Sequence, residues 1–300
     1  MRDNRRDRGH DGDVTKALFV GLTTIDIAYL VDNYPKEDSK TQASDQFLAA
    51  GGPAANAAVA YSFLAGTETT LVTALGSHPL TGIARNDLTN AEVRIVDVLD
   101  GGEQPPPISS IVVARHGRTR TLVSLDGSRI AAPAVDLSTE LKDASFLLVD
   151  GHYPQLCLEA AQQARELGVM VVVDAGRWKD VYHELLPLAD IAICSSAFQP
   201  PDVSYKPRAI LQYLEDRDVS AAITDGGEPI IYNSTEGSGV LPVAAEPVID
   251  TLGAGDILHG AFCHFFGRLP FPEALAAAAE VATFSCRYFG TREWMRHWPS

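Results

Sequence analysis

A turn of small residues that ends in an aspartate has the residue types and spacing of a phosphate-transfer site. Residues 250–256 read Asp-Thr-Leu-Gly-Ala-Gly-Asp, and an apolar run typical of a helix begins at Ile257. The first N–H groups of a helix have no partner within it and lie at the positive end of its dipole, so they suit an anion. Asp256 would take a proton from a hydroxyl group while those N–H groups hold the phosphoryl group that the hydroxyl attacks. A glycine-rich loop in which Asp256 only caps the helix explains the same pattern.

A second glycine-rich segment, near the N-terminus, favours the first of these interpretations. It reads Gly51-Gly52-Pro53-Ala54-Ala55-Asn56 and opens an apolar run that ends at Gly66. Proline is favoured at the first position of a helix and glycine just after the last, so the pattern predicts a helix that begins at Pro53. Two glycines let the backbone approach a ligand, and the Asn56 amide offers a donor and an acceptor to sugar hydroxyls. The alternative is an ordinary joint between a loop and a helix.

Taken together, the two segments resemble the motifs of the ribokinase-like (PfkB) family of carbohydrate kinases. The resemblance rests on Gly51-Gly52-x-x-x-Asn56 and on Asp250-Thr251-x-Gly253-Ala254-Gly255-Asp256, which occur in the family's order and separation. The C-terminal motif is the more specific one, and the similarity extends over residues 17–292. It implies that Asp256 is the catalytic base and that the N–H groups of Gly253, Ala254 and Gly255 form the anion hole.

The same resemblance implies a set of substrate-binding residues. Asp26, which follows the first predicted strand, matches the family's sugar-binding aspartate, and a carboxylate there can accept hydrogen bonds from two hydroxyls. Gly51, Gly52 and Asn56 complete the binding set, and His152, which follows a later strand, is a further candidate. A solvated carboxylate at position 26 and a surface histidine at position 152 are the alternatives.

The nucleotide-binding residues that the resemblance implies lie in the C-terminal half. Thr224 and Gly226 resemble the family's Thr-x-Gly turn beneath the ATP phosphates, although Pro229 stands where the second glycine of the usual pattern is expected. Thr251, within the C-terminal motif, is the third candidate. Gly290, after a helix predicted over 276–287, resembles the segment that packs against adenine.

The sequence leaves the metal ligands unassigned. After the strand predicted at 190–193 the family commonly has an Asn and Glu motif tied to magnesium and phosphate, whereas this chain has Cys194-Ser195-Ser196. Hydroxyls carry no fixed charge and bind a cation more weakly than carboxylates do. Magnesium would then be held mainly through water and the ATP phosphates. The cofactors that the resemblance implies are ATP and Mg²⁺, with a monovalent cation as a further candidate.

Composition narrows the classes of partner. The 39 acidic and 24 basic residues give a net charge of −15, which repels polyanions and argues against a nucleic-acid-binding protein. No membrane span is indicated, and the polar residues 1–16 predict a disordered tail, neither a signal peptide nor an anchor. The four cysteines lack any CxxC pair and indicate buried free thiols of a cytoplasmic protein, with a disulfide framework or zinc site as the alternative; they are Cys157, Cys194, Cys263 and Cys286.

Short apolar runs alternate with helical patterns along most of the chain. Runs that read as buried strands lie at 17–22, 25–31, 70–75, 146–149, 169–173, 191–193 and 221–224. Helical patterns, among them 156–167 and 209–214, separate most of these runs, and such alternation predicts parallel β-α-β units. With the resemblance, this predicts an α/β chain in which residues 17–300 adopt the ribokinase-like three-layer fold, a mostly parallel central sheet with helices on both faces.

Two further stretches, about 42–50 and 108–125, read as extended ribbons with no helix beside them. Together with residues 25–31 they predict a small β-sheet lid, which in the resembled family closes over the sugar. The exposed strand edges of a lid often pair with a second subunit, so a homodimer through the lid is a further expectation. Residues 234–248, punctuated by Gly237 and Gly239, predict another pair of short strands.

These observations favour a cytoplasmic kinase that transfers the γ-phosphoryl group of ATP to a primary hydroxyl of a small sugar or sugar-like molecule. No GxxxxGK[ST] run supports a P-loop, and no GxGxxG follows the first strand as in a dehydrogenase. A nucleoside kinase of the same fold ranks second, because nothing in the chain is specific for a base. A sugar or nucleotide sensor without activity is the third reading, motivated by Ser195-Ser196 and Pro229, but a pure binder has no need of Asp256.

Overall fold

Two β-sheets and two layers of helices form the fold in this computed structural model, which describes residues 16–99, 101–125 and 127–299. Residues 1–15 of the predicted tail lie outside the described residues. The strands are β1 (Ala17–Val20), β2 (Thr24–Val31), β3 (Asp45–Gly51), β4 (Thr69–Thr73), β5 (Val93–Asp97), β6 (Ile108–Ala114), β7 (Thr119–Val123), β8 (Phe146–Val149), β9 (Met170–Ala175), β10 (Ile191–Ser195), β11 (Ser220–Asp225), β12 (Glu228–Ser234) and β13 (Gly237–Leu241). The α-helices are α1 (Pro53–Ala65), α2 (Thr81–Asn90), α3 (Ser138–Leu141), α4 (Pro154–Leu167), α5 (Tyr182–Leu185), α6 (Pro207–Glu215), α7 (Ala254–Phe266) and α8 (Phe271–Ser285).

The large sheet is mostly parallel and is covered on both faces. Its strand order is β13-β12-β11-β10-β9-β8-β1-β4-β5, and only the pairs that involve β12 are antiparallel. Alternate side chains of a strand face opposite ways, so β1 contributes Phe19 to the core under α1, α7 and α8. Its neighbours Leu18 and Val20 join the core under α4 and α6. The predicted three-layer fold with a mostly parallel sheet is confirmed.

Helices α1 and α7 lie in close contact on one face of this sheet. A Cβ atom at Gly260 would lie 2.1 Å from the carbonyl oxygen of Ala57, so the two backbones touch where a side chain would keep them apart. The run of alanines in α1 serves the same purpose. Both helices begin at the carboxyl edge of the sheet, which places their first turns side by side.

The small sheet has the order β3-β2-β6-β7 and stands apart from the large one. Strand β2 pairs with β6 in parallel and with β3 in antiparallel fashion, and β6 and β7 form a hairpin that turns over residues 115–118. Ala28, Ile111 and Leu252 form a small buried cluster on its inner face, with Phe47 and Phe289 packed against it. The second sheet is therefore anchored by a core of its own and meets the segment before α7.

Several elements differ from the sequence prediction, and α8 begins at Phe271 where a start at residue 276 is predicted. Helix α2 and strand β5 were not predicted, because α2 buries only Thr81, Ala84 and Leu88 along an otherwise polar sequence and β5 is a half-exposed edge strand. The strand pair predicted over 234–248 is the hairpin β12-β13, which starts earlier, and residues 242–249 form no regular structure. Gly237 and Gly239 lie within β13 and do not punctuate it.

The four cysteines are free and buried, as the sequence predicts. None of the helices in the described part of the chain combines the length and hydrophobicity that a bilayer crossing requires.

Candidate active site

The two glycine-rich motifs meet at the carboxyl edge of the large sheet. Asp256 lies in the first turn of α7 and Asn56 in the first turn of α1, and Nδ2 of Asn56 donates a hydrogen bond of 2.8 Å to Oδ2 of Asp256. These residues are 200 positions apart in the chain. The other carboxylate oxygen of Asp256, Oδ1, accepts no hydrogen bond within the described residues and is the atom left for a ligand.

The turn before α7 leaves amide groups without partners. Gly253 has a positive φ of 68°, and a Cβ there would lie 2.6 Å from the methyl group of Thr291, so only glycine fits. Among the described residues, the N–H groups of Gly253, Gly255 and Asp256 have no acceptor. Ala254 departs from the prediction, because its N–H group donates to the Thr251 carbonyl at 3.3 Å. The free N–H groups of Gly253, Gly255 and Asp256 make residues 253–256 the predicted anion-binding turn.

The pKa of Asp256 is raised to about 7. Burial is the largest cause and the nearby charge of Asp174 is the second, while the Asn56 hydrogen bond and the charges of His259 and Arg120 lower it. A base whose pKa lies near neutral pH combines an ionised fraction with affinity for a proton, which is what general base catalysis needs. The carboxylate thus has the contacts and the proton affinity of a catalytic base.

His259, one turn after Asp256, joins the anion-binding turn to a buried carboxylate. Its Nδ1 lies 2.7 Å from the carbonyl oxygen of Gly255, and its Nε2 lies 3.1 Å from that of Ile193 and 3.6 Å from Oδ1 of Asp174. The ring therefore connects the first turn of α7 to the carbonyl group of Ile193 in β10, beside Asp174.

Asp26 lies buried at the start of the small sheet, beside the first glycine-rich motif. Its Oδ1 accepts a hydrogen bond of 2.6 Å from the Thr24 hydroxyl. Burial raises its pKa, although hydrogen bonds from Thr24 and Ser109 oppose that rise. A Cβ at Gly51 would lie 2.1 Å from the Asp26 carboxyl carbon, and one at Gly52 would lie 2.3 Å from the Leu22 carbonyl oxygen. The glycines are needed because the Asp26 carboxylate and the chain after β1 occupy that space.

Arg120 brings a positive charge from the small sheet over this edge. Its guanidinium donates a hydrogen bond to the Thr251 carbonyl oxygen, next to the anion-binding turn. Its charge lowers the pKa of three carboxyl groups, those of Asp26, Asp250 and Asp256. The carboxyl groups of Asp26 and Asp256 are therefore close enough to share one cation. No sequence pattern assigns Arg120 a role, because the sequence shows only that this residue lies beside a predicted hairpin turn.

Asp150, which follows β8, is a structural residue of the site that the sequence did not identify. Its carboxylate accepts hydrogen bonds from the N–H groups of Leu22 at 2.8 Å, His152 at 2.9 Å and Ala54 at 3.3 Å. It thus ties the end of β8 to the chain after β1 and to the start of α1. His152 lies half-buried at the same edge, and its contact with substrate stays a prediction.

The predicted nucleotide-binding residues lie in two separate parts of the structure, one at the end of β11 and one around Asp250. Thr224 is the penultimate residue of β11, where its hydroxyl donates to the Cys194 carbonyl at 3.3 Å, and Gly226 follows the strand in an exposed turn. Thr251 and Gly290 both lie next to Asp250, to which the Gly290 N–H group donates at 3.0 Å. A Cβ at Gly290 would lie 2.5 Å from the Phe47 ring, which gives this glycine a packing reason of its own.

The hydroxyls that replace the Asn and Glu motif are engaged within the protein. Ser195 donates to the Gly176 carbonyl at 3.2 Å, and Ser196 donates to Oδ1 of Asp225 at 2.7 Å. The described residues contain no group of three or more His, Cys, Asp or Glu side chains placed to hold a metal ion. The Ser195 and Ser196 hydroxyls therefore do not form a ready-made magnesium-binding site.

Sequence comparison identifies the family to which this chain belongs. The profile of the pfkB family carbohydrate kinases matches residues 14–298. The chain is also 21% identical over 291 residues to a ribokinase of Lactococcus lactis subsp. lactis (strain IL1403), with 93% of each protein covered.

Solved structures share the fold at low identity. A ribokinase of Arabidopsis thaliana complexed with ribose and ATP superimposes with a TM-score of 0.74 at 19% identity, covering 93% of this chain and 94% of that one. A nucleoside kinase of Methanocaldococcus jannaschii superimposes with a TM-score of 0.73 at 18% identity, covering 94% and 95%.

Proposed function

The chain belongs to the pfkB family of carbohydrate kinases, and from that premise we propose that it transfers the γ-phosphoryl group of ATP to a primary hydroxyl of a small sugar or sugar-like molecule. Family membership makes it a carbohydrate kinase whose acceptor is a sugar or a nucleoside. The sensor reading is not retained for a member of a kinase family.

The observation that carries the proposal is the contact between Asn56 and Asp256 beside unpaired amide groups. Asn56 holds Oδ2 of Asp256, and Oδ1 would accept the proton of the acceptor hydroxyl as its oxygen attacks phosphorus. The N–H groups of Gly253, Gly255 and Asp256 would hold the phosphoryl oxygens, at the positive end of the α7 dipole. Phosphoryl transfer depends chiefly on positioning and charge, and the site supplies both.

The acceptor is proposed to lie between the large sheet and the small one. Asp26 would accept hydrogen bonds from its hydroxyls, beside Gly51 and Gly52. The small sheet would act as a lid, with Arg120 above the reacting groups, and its closure would exclude water. Magnesium would arrive bound to the ATP phosphates and neutralise part of their charge, with the donor triphosphate as its main ligand.

Replacement of the base tests the proposal. Asp256→Asn keeps the size of the side chain and an acceptor for Asn56, but it cannot take a proton. We expect kcat to fall by roughly 10² to 10⁴, the usual contribution of a positioned base, with little change in acceptor affinity. The measurement is ADP release over a panel of pentoses, hexoses and nucleosides, together with calorimetric binding.

Asp180 is exposed, so Asp180→Asn is the matched control and should retain the activity of the parent chain. Undiminished turnover by Asp256→Asn would refute the assignment of the base. Turnover of nucleosides alone would select the nucleoside kinase, whose fold this chain shares.

A further inference from the structure

Arg292 lies behind the base, in the segment that follows α8, and its guanidinium is engaged on every side. Nη1 donates to Oδ1 of Asn56 at 3.0 Å and to the Thr291 hydroxyl at 2.7 Å. Nη2 donates to Oδ2 of Asp87 at 2.9 Å and to the Ala50 carbonyl at 2.8 Å, while Nε reaches the same Asp87 oxygen at 3.2 Å. The Arg292 side chain is only 15% exposed.

The Asn56 side-chain amide makes one hydrogen bond to a group that can only donate and one to a group that only accepts. A guanidinium only donates, so the atom that faces Arg292 must be the amide oxygen. The amide nitrogen then faces Asp256, whose ionised carboxylate only accepts. Asn56 therefore has one orientation that satisfies both neighbours.

We propose that Arg292 is a positioning residue for the catalytic base, acting through Asn56. It fixes the amide of Asn56, which holds Oδ2 of Asp256 and leaves Oδ1 aimed at the acceptor hydroxyl. This inference rests on the proposed function, because it gives Asp256 the role of base. Arg292 touches neither the base nor the predicted anion-binding amides.

Asp87 keeps the guanidinium in place. Its Oδ2 accepts from Arg292 and also from the N–H group of Ala50 at 3.1 Å. Ala50 lies in β3, just before the glycines that lead into α1. One ion pair thus joins α2, the small sheet and the C-terminal segment to the residue that holds the base, and a purely stabilising role would need no contact with Asn56.

A double-mutant cycle separates positioning from stability. Arg292→Lys keeps the positive charge near Asp26 but loses the forked geometry, and Asn56→Ala removes the amide through which Arg292 would act. We expect Arg292→Lys alone to lower kcat by about 10- to 100-fold, the usual effect of a hydrogen bond to a charged group. In the Asn56→Ala background the same change should cost less than about twofold, since coupled residues are not additive.

The protonation of Asp256 gives a readout that needs no substrate. The hydrogen bond from Asn56 lowers the pKa of Asp256. Because Arg292→Lys should weaken that hydrogen bond, we expect it to raise the pKa of Asp256 and to move the acidic limb of kcat/KM to higher pH. Carbon NMR of labelled aspartate, assigned with Asp256→Asn, would follow this titration. Arg296→Lys is the control, because the Arg296 side chain is 80% exposed.

An additive cycle, or an unchanged titration of Asp256 in Arg292→Lys, would overturn the proposal. Asp87→Asn, which weakens the clamp on Arg292 without removing it, serves as the second variant if Arg292→Lys does not fold, and the same upward titration is expected of it. Absence of turnover in the parent chain across the whole panel would instead count against the proposed function, and the NMR titration would still decide the role of Arg292.

Discussion

At the scale of single residues, the proposed role of Asp256 as the base means that its protonation should set the working pH of the kinase. Its pKa of about 7 lies above the ordinary value of 3.8 because burial and the charge of Asp174 disfavour the ionised form. The base works only when it is ionised, so its activity is gained as pH rises through that pKa. We expect kcat/KM to fall about tenfold per unit below pH 7 and to level off above it.

The pH profile of kcat/KM at saturating ATP checks this expectation. At saturating ATP the profile of kcat/KM for the acceptor reports the chain with ATP bound, so its limb should match the titration of Asp256 in that complex. A limb near pH 4, the value of an exposed aspartate, would contradict the burial of the base.

The residues of the candidate site that a sequence can predict are those with a local pattern. Asp256 and Asn56 each stand at a fixed place in a glycine-rich turn that opens a helix, and the structure brings them together. Asp174, His259 and Arg292 have no such pattern, because their effect on the base depends on which strand end or loop packs beside it. No short segment of sequence encodes tertiary contacts of this kind.

At the scale of elements, the joint between β3 and α1 depends on a glycine. Gly52 has a φ of 95°, and a Cβ there would lie 2.3 Å from the Leu22 carbonyl oxygen. Gly52→Ala therefore combines backbone strain with a clash against backbone that cannot move aside. We expect a loss of about 2–4 kcal/mol in the free energy of unfolding, measured by urea denaturation, and lower kcat/KM as Gly51 and Asp26 shift.

Gly66 at the other end of α1 is the matched control. It too has a positive φ, 61°, but a Cβ there would meet no atom within 4 Å. Gly66→Ala should cost only about 1 kcal/mol from the left-handed conformation and leave activity unchanged. Equal losses of unfolding free energy in Gly52→Ala and Gly66→Ala would contradict the expected clash with the Leu22 carbonyl group.

The contrast between α1 and α2 shows which elements could be predicted. Pro53 and Gly66 mark both ends of α1, and its apolar residues are buried, so its limits follow from local chemistry. Helix α2 has few apolar residues and is held by contacts such as the Asp87 bond to Ala50. A helix that is stabilised mainly by contacts with distant residues, as α2 is, cannot be predicted from its own sequence.

At the scale of the whole molecule, the small sheet presents an apolar outer face. Leu48, Ile27 and Val123 lie in one row across the sheet, and Tyr29 is on the same side. Leu48 is 45% exposed, Val123 70% and Tyr29 41%. Strands β3 and β7 are also the outermost strands of this sheet, and edge strands with an apolar face pair readily with another sheet.

We propose that two chains associate through this sheet. Sedimentation at micromolar concentration should then show a species of twice the chain mass of 32.2 kDa, and a charge at the exposed apolar row, as in Leu48→Glu, should shift it to the single chain. Glu166→Gln, on the far side of the large sheet, should leave the assembly intact. A single 32.2 kDa species for the unmodified chain would end this proposal.

The contact of Gly260 with Ala57 limits how such an enzyme can acquire new acceptors. Any side chain at that contact would act as a wedge between two helices and would part the asparagine from the aspartate that it holds. Packing therefore leaves little room for substitution beneath the proposed reacting groups. Side chains of the small sheet such as Leu122, which is 47% exposed, are the places where a substitution could alter the choice of acceptor without disturbing that contact.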